Sequence, residues 1–416
     1  MVVKCELNGI ETWYSSGQTI TGKICLSLDE RILIKSISFK MDGYALAEWN
    51  SSKKTEEKPK IVKGRDDFIA STTYLVGSEE STSILVAAGN YAYNFSCNIP
   101  EKCPSSYNSM CGHIRYQMTV ILDYGNKTEE ILKESFHVIK QLDLRPQSST
   151  LKLPVDMEVF ESKCFYECWK TPLCLYVNLP QGGFVPGETI SVYARLINDG
   201  KIPLKSISIS LNQVVTFTSK TPRQQTLSER YNMVQNLSSL AGNAPLREFL
   251  ERIPIPSVPP STQENCTTLR INYEVEVSVD HVKGKREVVA RIPIVIGTIP
   301  IDADGSPKNN NDRIQVEVSD PKAFATSIIS SCSMESLNTK SDSRTPDEVI
   351  LNANASTSFQ EASFMSSTNL NKKDKNALNK DVSGFKPKYL YYELNEDIEM
   401  TPTTMEITKE ITIAST

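Results

Sequence analysis

Tyr273-Glu274-Val275-Glu276-Val277-Ser278-Val279-Asp280 alternates without a break, apolar at every odd position and polar at every even one. A period of two places alternate side chains on opposite faces of an extended strand, one face toward a core and the other toward water. Arg115-Tyr116 through Asp123 lines up with Asn272-Tyr273 through Asp280 at an offset of 157 residues (273 − 116). His137-Val138-Ile139 pairs with Ile294-Val295-Ile296 at the same offset. Further toward the amino terminus, Gly17-Gln18-Thr19-Ile20 recurs as Gly187-Glu188-Thr189-Ile190, and Ile34-Lys35-Ser36-Ile37-Ser38 as Leu204-Lys205-Ser206-Ile207-Ser208, both at 170 (187 − 17). Between them, Cys103-Pro104-Ser105-Ser106 is echoed by Pro259-Pro260-Ser261-Thr262. Landmarks in the same order, with a loop difference of 13 residues (170 − 157), describe two copies of one unit and hence two homologous domains.

Other segments repeat the alternation: Ile24, Leu26 and Leu28; Ile37, Phe39 and Met41; Ile190, Val192, Ala194 and Leu196. Asp42-Gly43, Tyr124-Gly125-Asn126, Asn198-Asp199-Gly200 and Lys283-Gly284-Lys285 read as turns between strands. Residues 222–252 hold a candidate strand, with a helical turn over Leu246 to Arg252. The fold class expected is all-β, two tandem immunoglobulin-like β-sandwiches followed by a flexible tail. The domain bounds are 1–141 for the first sandwich, 142–160 for the connection (its core Leu142 to Pro154), 161–301 for the second sandwich and 302–416 for the tail. In that tail Ser, Thr, Asn and Lys dominate, and only Ile314, Val316 and Val318 still alternate.

Composition narrows the function. With 45 basic and 50 acidic residues the net charge is −5, which offers no strong field for nucleic acid. The first residues lack an apolar signal core, so a cytoplasmic location with reduced cysteines is expected. The three histidines, His113, His137 and His281, stand in or beside strand patterns, and no nucleophile elbow, phosphate-cradling glycine loop or His-Glu-x-x-His motif is present. The clusters Cys164/Cys168/Cys174 and Cys97/Cys103/Cys111 lack the paired Cys-x2-Cys knuckle of a zinc site. No catalytic residue, metal or cofactor is therefore assigned, and the chain is not read as an enzyme.

Several elements resemble the arrestins, most closely the α-arrestin (arrestin-domain-containing) branch. Gly17 to Gly22 followed by the Lys35-to-Gly43 strand is similar to the opening of the arrestin N-domain. Ala88-Gly89-Asn90-Tyr91-Ala92-Tyr93-Asn94-Phe95 is similar to the family's Pro-Gly-x-aromatic strand, with Ala88 in place of proline. Pro104-Ser105-Ser106-Tyr107, Gly112-His113-Ile114-Arg115-Tyr116 and Gly183-Phe184-Val185-Pro186-Gly187-Glu188 with Asn198 continue the likeness over residues 1–300. The resemblance implies an arrestin-like N- and C-domain with concave sides facing a partner. It also implies a non-catalytic adaptor that binds cytoplasmic regions of membrane receptors or transporters and directs their endocytosis. Recruitment would be to the plasma membrane or endosomes. Alternatives are a retromer-like coat subunit and a ubiquitin-ligase adaptor. By the same resemblance Lys4, Lys23 and Lys35 are candidates for reading a phosphorylated partner, and Arg115 is a candidate for an ionic core. The Pro-Pro-x-Tyr motif that recruits WW-domain ligases in many α-arrestins is missing; Pro387-Lys388-Tyr389 is its nearest approach. Tyr391-Tyr392-Glu393-Leu394 fits the Tyr-x-x-apolar pattern read by clathrin adaptors, Tyr391 and Leu394 being its anchors.

Overall fold

In the computed structural model the alternating runs become strands because each can bury one face. Residues 3–9, 11–51, 60–161, 173–240, 244–262, 266–283, 286–301, 356–362 and 385–393 are described. The amino-terminal domain holds β1 (Val3–Asn8), β2 (Trp13–Ser15), β3 (Thr19–Leu28), β4 (Ile32–Ile34), β5 (Ser36–Ser51), β6 (Lys60–Gly77), β7 (Ile84–Val86), β8 (Gly89–Asn98), β9 (Tyr107–Asn108), β10 (Gly112–Asp123) and β11 (Thr128–Ile139). A three-stranded sheet β1-β3-β8 faces the sheet β2-β11-β10-β5-β6, with β9 on β10 and a small β4-β7 pair beside them. The carboxy-terminal domain holds β12 (Val155–Glu161), β13 (Leu173–Leu179), β14 (Gly183–Phe184), β15 (Thr189–Ile197), β16 (Leu204–Ser219), β17 (Gln225–Ser239), β18 (Leu246–Pro254), β19 (Leu269–His281) and β20 (Arg286–Ile296). Its sheets are β12-β13-β15-β18 and β14-β20-β19-β16-β17. Each copy is a β-sandwich, as expected.

The repeat is visible bond by bond. Gly17 N–H donates to the Ile99 carbonyl at 3.0 Å, and Gly187 N–H to that of Ile255 at 2.9 Å. Both glycines have positive φ, 88° and 97°, a conformation that a Cβ opposes. Ser15 N–H donates to Gln18 Oε1 and Val185 N–H to Glu188 Oε2, each at 2.9 Å. β2 runs parallel to β11 and β14 parallel to β20. The enclosed Tyr116 and Tyr273 hydroxyls donate to the carbonyls of Pro104 and Pro259 at 2.7 and 2.6 Å. A buried hydroxyl needs such a partner, so these bonds hold the Pro-Ser loops of the repeat against the central strands.

Several expectations are corrected. The Asp42-Gly43 pair is no turn but lies inside β5, and Gly22 lies inside β3. A Cβ at Gly43 would stand 2.5 Å from the Tyr116 ring and one at Gly22 2.6 Å from the Phe95 ring. These two glycines serve close aromatic packing, not strand reversal. Leu246 to Arg252 belongs to strand β18, paired with β15 from Thr189 to Ile197. Val155–Glu161, placed largely in the connection, is the edge strand β12; Val155, Met157 and Val159 pack on the core. On β19 Tyr273, Val275, Val277 and Val279 are buried as read, but so are Glu276 and Ser278 on the opposite face. Arg291 reaches Glu276 at 2.8 Å and Glu274 at 3.7 Å, and Arg230 reaches Glu274 at 2.9 Å, so long arginine stems cover that face.

Within 302–416, read as a flexible tail, two segments are strands: β21 (Ser356–Glu361) and β22 (Lys388–Glu393) pair antiparallel, Ser356 opposite Glu393 through Glu361 opposite Lys388. A lone two-stranded hairpin is marginal in water. This one is held by the body of the protein. The Ile314–Val318 run, Cys164, Cys168, Lys285 and Leu394 lie outside the described residues.

Candidate functional site

The domains meet through main chain first. Lys63 N–H donates to the Thr221 carbonyl at 2.8 Å, and Lys220 and Thr221 N–H both donate to the Lys63 carbonyl, at 2.7 and 3.0 Å. A Cβ at Gly64 would stand 2.1 Å from the Thr218 carbonyl oxygen, so the backbones approach as closely as glycine allows. Asp66, next along β6, accepts the Thr267 and Thr268 N–H groups at 2.7 Å each, the Thr267 hydroxyl at 3.0 Å and the Lys220 ammonium. Burial alone would raise its pKa, but the Lys220 ammonium and the Thr267 and Thr268 donors outweigh this and hold it at about 2. Deeper in, Tyr107 donates to Gln213 Oε1 at 3.2 Å while Gln213 Nε2 donates to the Tyr273 hydroxyl at 2.8 Å. One cluster of buried apolar side chains runs through both sandwiches.

The tail hairpin closes over this junction. Phe359 of β21 packs on Trp13, ring centroids 4.2 Å apart, and Phe385 stacks on His137 at 4.7 Å. Trp13 and His137 are cross-strand neighbours on β2 and β11, so they form one aromatic platform. Arg115 lies 5.7 Å from the Phe385 ring centroid, which places the candidate ionic-core residue against the tail. Asn108 Nδ2 donates to the Phe385 carbonyl at 3.0 Å, and Tyr389, only 2% exposed, donates to the Ser106 carbonyl at 3.0 Å. Burial, with Tyr107 and Tyr273 beside it, keeps the Tyr389 hydroxyl protonated. On the carboxy-terminal domain, Tyr392 N–H donates to the Pro186 carbonyl at 3.1 Å and its hydroxyl to Thr298 at 2.7 Å. Ser257 donates to the Gln360 carbonyl at 3.1 Å. Tyr392 also completes a second apolar cluster with Leu142, Leu144, Leu151, Val185 and Ile301, against which Leu390 packs. The hairpin thus bridges both domains and the connection between them.

Comparison with known sequences settles the family. Residues 3–145 match the profile described as "Arrestin (or S-antigen), N-terminal domain", and residues 169–301 match "Arrestin (or S-antigen), C-terminal domain". The chain belongs to the arrestin family. It is similar to "Arrestin domain-containing protein 4" of Homo sapiens, 24% identical over 307 residues covering 70% of each chain. "Arrestin domain-containing protein 17" of Caenorhabditis elegans is 24% identical over 304 residues, 70% of this chain and 69% of that one. "Arrestin domain-containing protein 5" of Bos taurus is 21% identical over 321 residues, 74% of this chain and 94% of that protein. The likeness is to the α-arrestin branch.

In this arrestin the three candidate lysines do not converge. Lys4 on β1 pairs with Ser27, whereas Lys23 on β3 pairs with Asn8, four positions along the same ladder. Lys23 is exposed and lines a shallow depression with Thr21, Asn94 and Phe95. Lys35 joins β4 to β5 and donates its N–H to Asp123 at 2.7 Å, on the opposite sheet. Of the tail candidates, Pro387 and Tyr389 are buried, and Tyr391 is half-buried. Sequence reasoning missed the seat itself: Trp13, Asn108 and Thr298 carry no chemical signature, and Ser106, His137 and Pro186 stood out as marks of the repeat and of the family, not as a binding surface.

A cavity of about 470 Å³ opens at the junction between the two Pro-Ser loops, lined by Lys102, Ser105 and Lys140 on one side and Pro260, Ser261 and Thr262 on the other. Its hydroxyl oxygens accept main-chain N–H groups, Ser105 from Lys140, Ser261 from Ile296 and Thr262 from Ile271. Among the described residues no histidine or carboxylate lines it. Burial pushes the Cys103 thiol up to about 11 and the Cys266 thiol up to about 12, so neither is a ready nucleophile.

His137 makes the hairpin seat pH-sensitive. Burial lowers its pKa from 6.5, and the Lys388 ammonium on β22 lowers it further. Its Nδ1 is buried without a hydrogen-bond partner among the described residues. Arg115, over the same Phe385 ring, adds a second cation nearby. The docked state therefore disfavours the imidazolium, and undocking returns His137 toward its ordinary value. Docking is fully favoured above that value and loses free energy as the pH falls through it. Amide deuterium uptake over residues 385–393, corrected for intrinsic exchange, is expected to rise between about pH 7.5 and about pH 5.5. In His137→Phe the rise is expected to vanish.

Proposed function

We propose that this arrestin is a non-catalytic adaptor that binds cytoplasmic regions of membrane receptors or transporters and directs their endocytosis. It works from the cytoplasm with recruitment to the plasma membrane or endosomes. The observation that carries this reading is the pair of smaller sheets, β1-β3-β8 and β12-β13-β15-β18, each ending in strands without a further neighbour among the described residues. Open edges offer N–H and C=O groups to an extended partner segment, and beside them lie exposed side chains, polar along β8 and including Leu246 and Leu250 along β18. Among the described residues no group of three or more His, Cys, Asp and Glu could hold a metal. Membership of a family of arrestin domain-containing proteins supports an adaptor role.

Proximity labelling with the full chain in cells tests this. The expected catch is membrane proteins with cytoplasmic tails, together with clathrin adaptors, and the surface level of the captured cargo should rise when the chain is depleted. Recovery instead as a fixed-stoichiometry soluble complex would replace this reading with the retromer-like coat. The ubiquitin-ligase alternative needs Pro387 and Tyr389 free to meet a WW domain, and both are buried at the junction.

A further inference from the structure

We propose that the junction groove is a sequence-reading peptide site: it recognises an extended segment of the form Phe-x-Pro-x-Tyr-x-x-Tyr with unmodified tyrosines, and residues 385–392 of this chain are its resident ligand. Each anchor has its own seat. Phe385 lies on His137, Tyr389 is enclosed beside Tyr107 and Tyr273, and Tyr392 enters the cluster of Leu142, Leu144 and Val185. The buried Pro387 sets the extended approach, and its carbonyl accepts Ala362 N–H at 2.9 Å. The groove also reads backbone, through Asn108 on the Phe385 carbonyl and the Pro186 carbonyl on Tyr392 N–H. A Cβ at Gly187 would stand 2.1 Å from the Tyr392 carbonyl oxygen, so this wall is shaped for a main chain lying directly on it.

The selectivity for unmodified tyrosine follows from what the hydroxyls meet. Both donate to main-chain carbonyl oxygens, Ser106 and Thr298, which can only accept. A phosphate dianion has no proton to give them and brings two negative charges into a space closed to water. Because residues 385–392 belong to the same chain as the groove, their docking is intramolecular and competes strongly with a free peptide of the same sequence. A free segment of the same pattern, from this chain or from a partner protein, therefore gains access when the resident one is weakened. This inference stands independently of the adaptor reading.

The test uses the full chain and a fluorescein-labelled peptide of residues 383–394, read by anisotropy. Tyr389→Ala/Tyr392→Ala changes the resident ligand and leaves the walls intact; Phe385→Ala is a milder second variant should the double one fail to fold. The peptide is expected to bind the variant at least about tenfold more tightly than the wild type, whose groove is filled. The same peptide phosphorylated at both anchor tyrosines should lose at least about tenfold in affinity for the variant. Equal binding to wild type and variant, or no binding to a folded variant, overturns the resident-ligand assignment. Undiminished binding of the phosphorylated peptide overturns the selectivity.

Discussion

Tyr389→Ala is expected to unseat the carboxy-terminal hairpin. The ring is enclosed at the junction of the domains and its hydroxyl is donated to Ser106. Removing a buried aromatic ring costs about 3–5 kcal/mol, and the Ser106 carbonyl loses its donor as well. The hairpin keeps its strand pair, the Phe359 and Phe385 contacts, the Tyr392 seat and the bonds from Asn108 and Ser257, and a loss of that size removes a large share of its docking free energy. Amide exchange over residues 385–393 should pass from protected to fast, while β10 and β19 in the sandwiches stay protected. Tyr389→Phe keeps the ring and forfeits about 1 kcal/mol, so most protection should survive. If the alanine variant remains protected, the aromatic platform of Trp13 and His137 carries the docking without this tyrosine.

Asp66→Ala acts on the other side of the junction. It strips acceptors from the Thr267 and Thr268 N–H groups and from the Lys220 ammonium at once. Leaving part-buried donors and an ammonium without their acceptor costs about 2–4 kcal/mol. For a protein of this size the melting temperature should fall by about 2–4 °C per kcal/mol, and calorimetry is expected to resolve the two domains into separate transitions. The wild type carries the matching acid dependence. Asp66 sits at about 2 instead of 3.8, so its contribution is complete above 3.8 and is lost as the pH falls from there toward 2. The variant should lack that portion of acid destabilisation. An unchanged melting profile would mean that the Lys63–Thr221 main-chain bonds hold the domains by themselves.

Much of the architecture could be read from residue order. The alternation from Tyr273 to Asp280 is one strand with its odd-numbered side chains fully enclosed. The Gly17 and Gly187 turns share dihedral sign and hydrogen bonds because the repeated residues impose the same local geometry. Misreadings arose where a residue's local meaning was overruled by a distant neighbour. Gly43 resembled a turn signal because nothing nearby announces that the Tyr116 ring, far along the chain, needs its missing Cβ. Leu246 to Arg252 does not alternate in polarity because Leu246 and Leu250 stand on the exposed face of the edge strand β18 while Arg247 and Glu251 stand on its half-buried face.

The candidate site was the least legible part. Pro387, Tyr389 and Tyr391 drew attention as recruitment motifs, which are useful only when exposed. The structure seats the first two in a groove whose walls come from residues 13, 106, 137, 186 and 298, far apart in the chain. By itself the sequence determined two homologous β-sandwiches and the arrestin resemblance, because strand periodicity and turn residues are local and recur at fixed offsets. Only the tertiary structure decided that the tail is part of the site. A hairpin with so few apolar residues cannot order itself, and becomes stable when two folded domains and their connection supply the surface it buries.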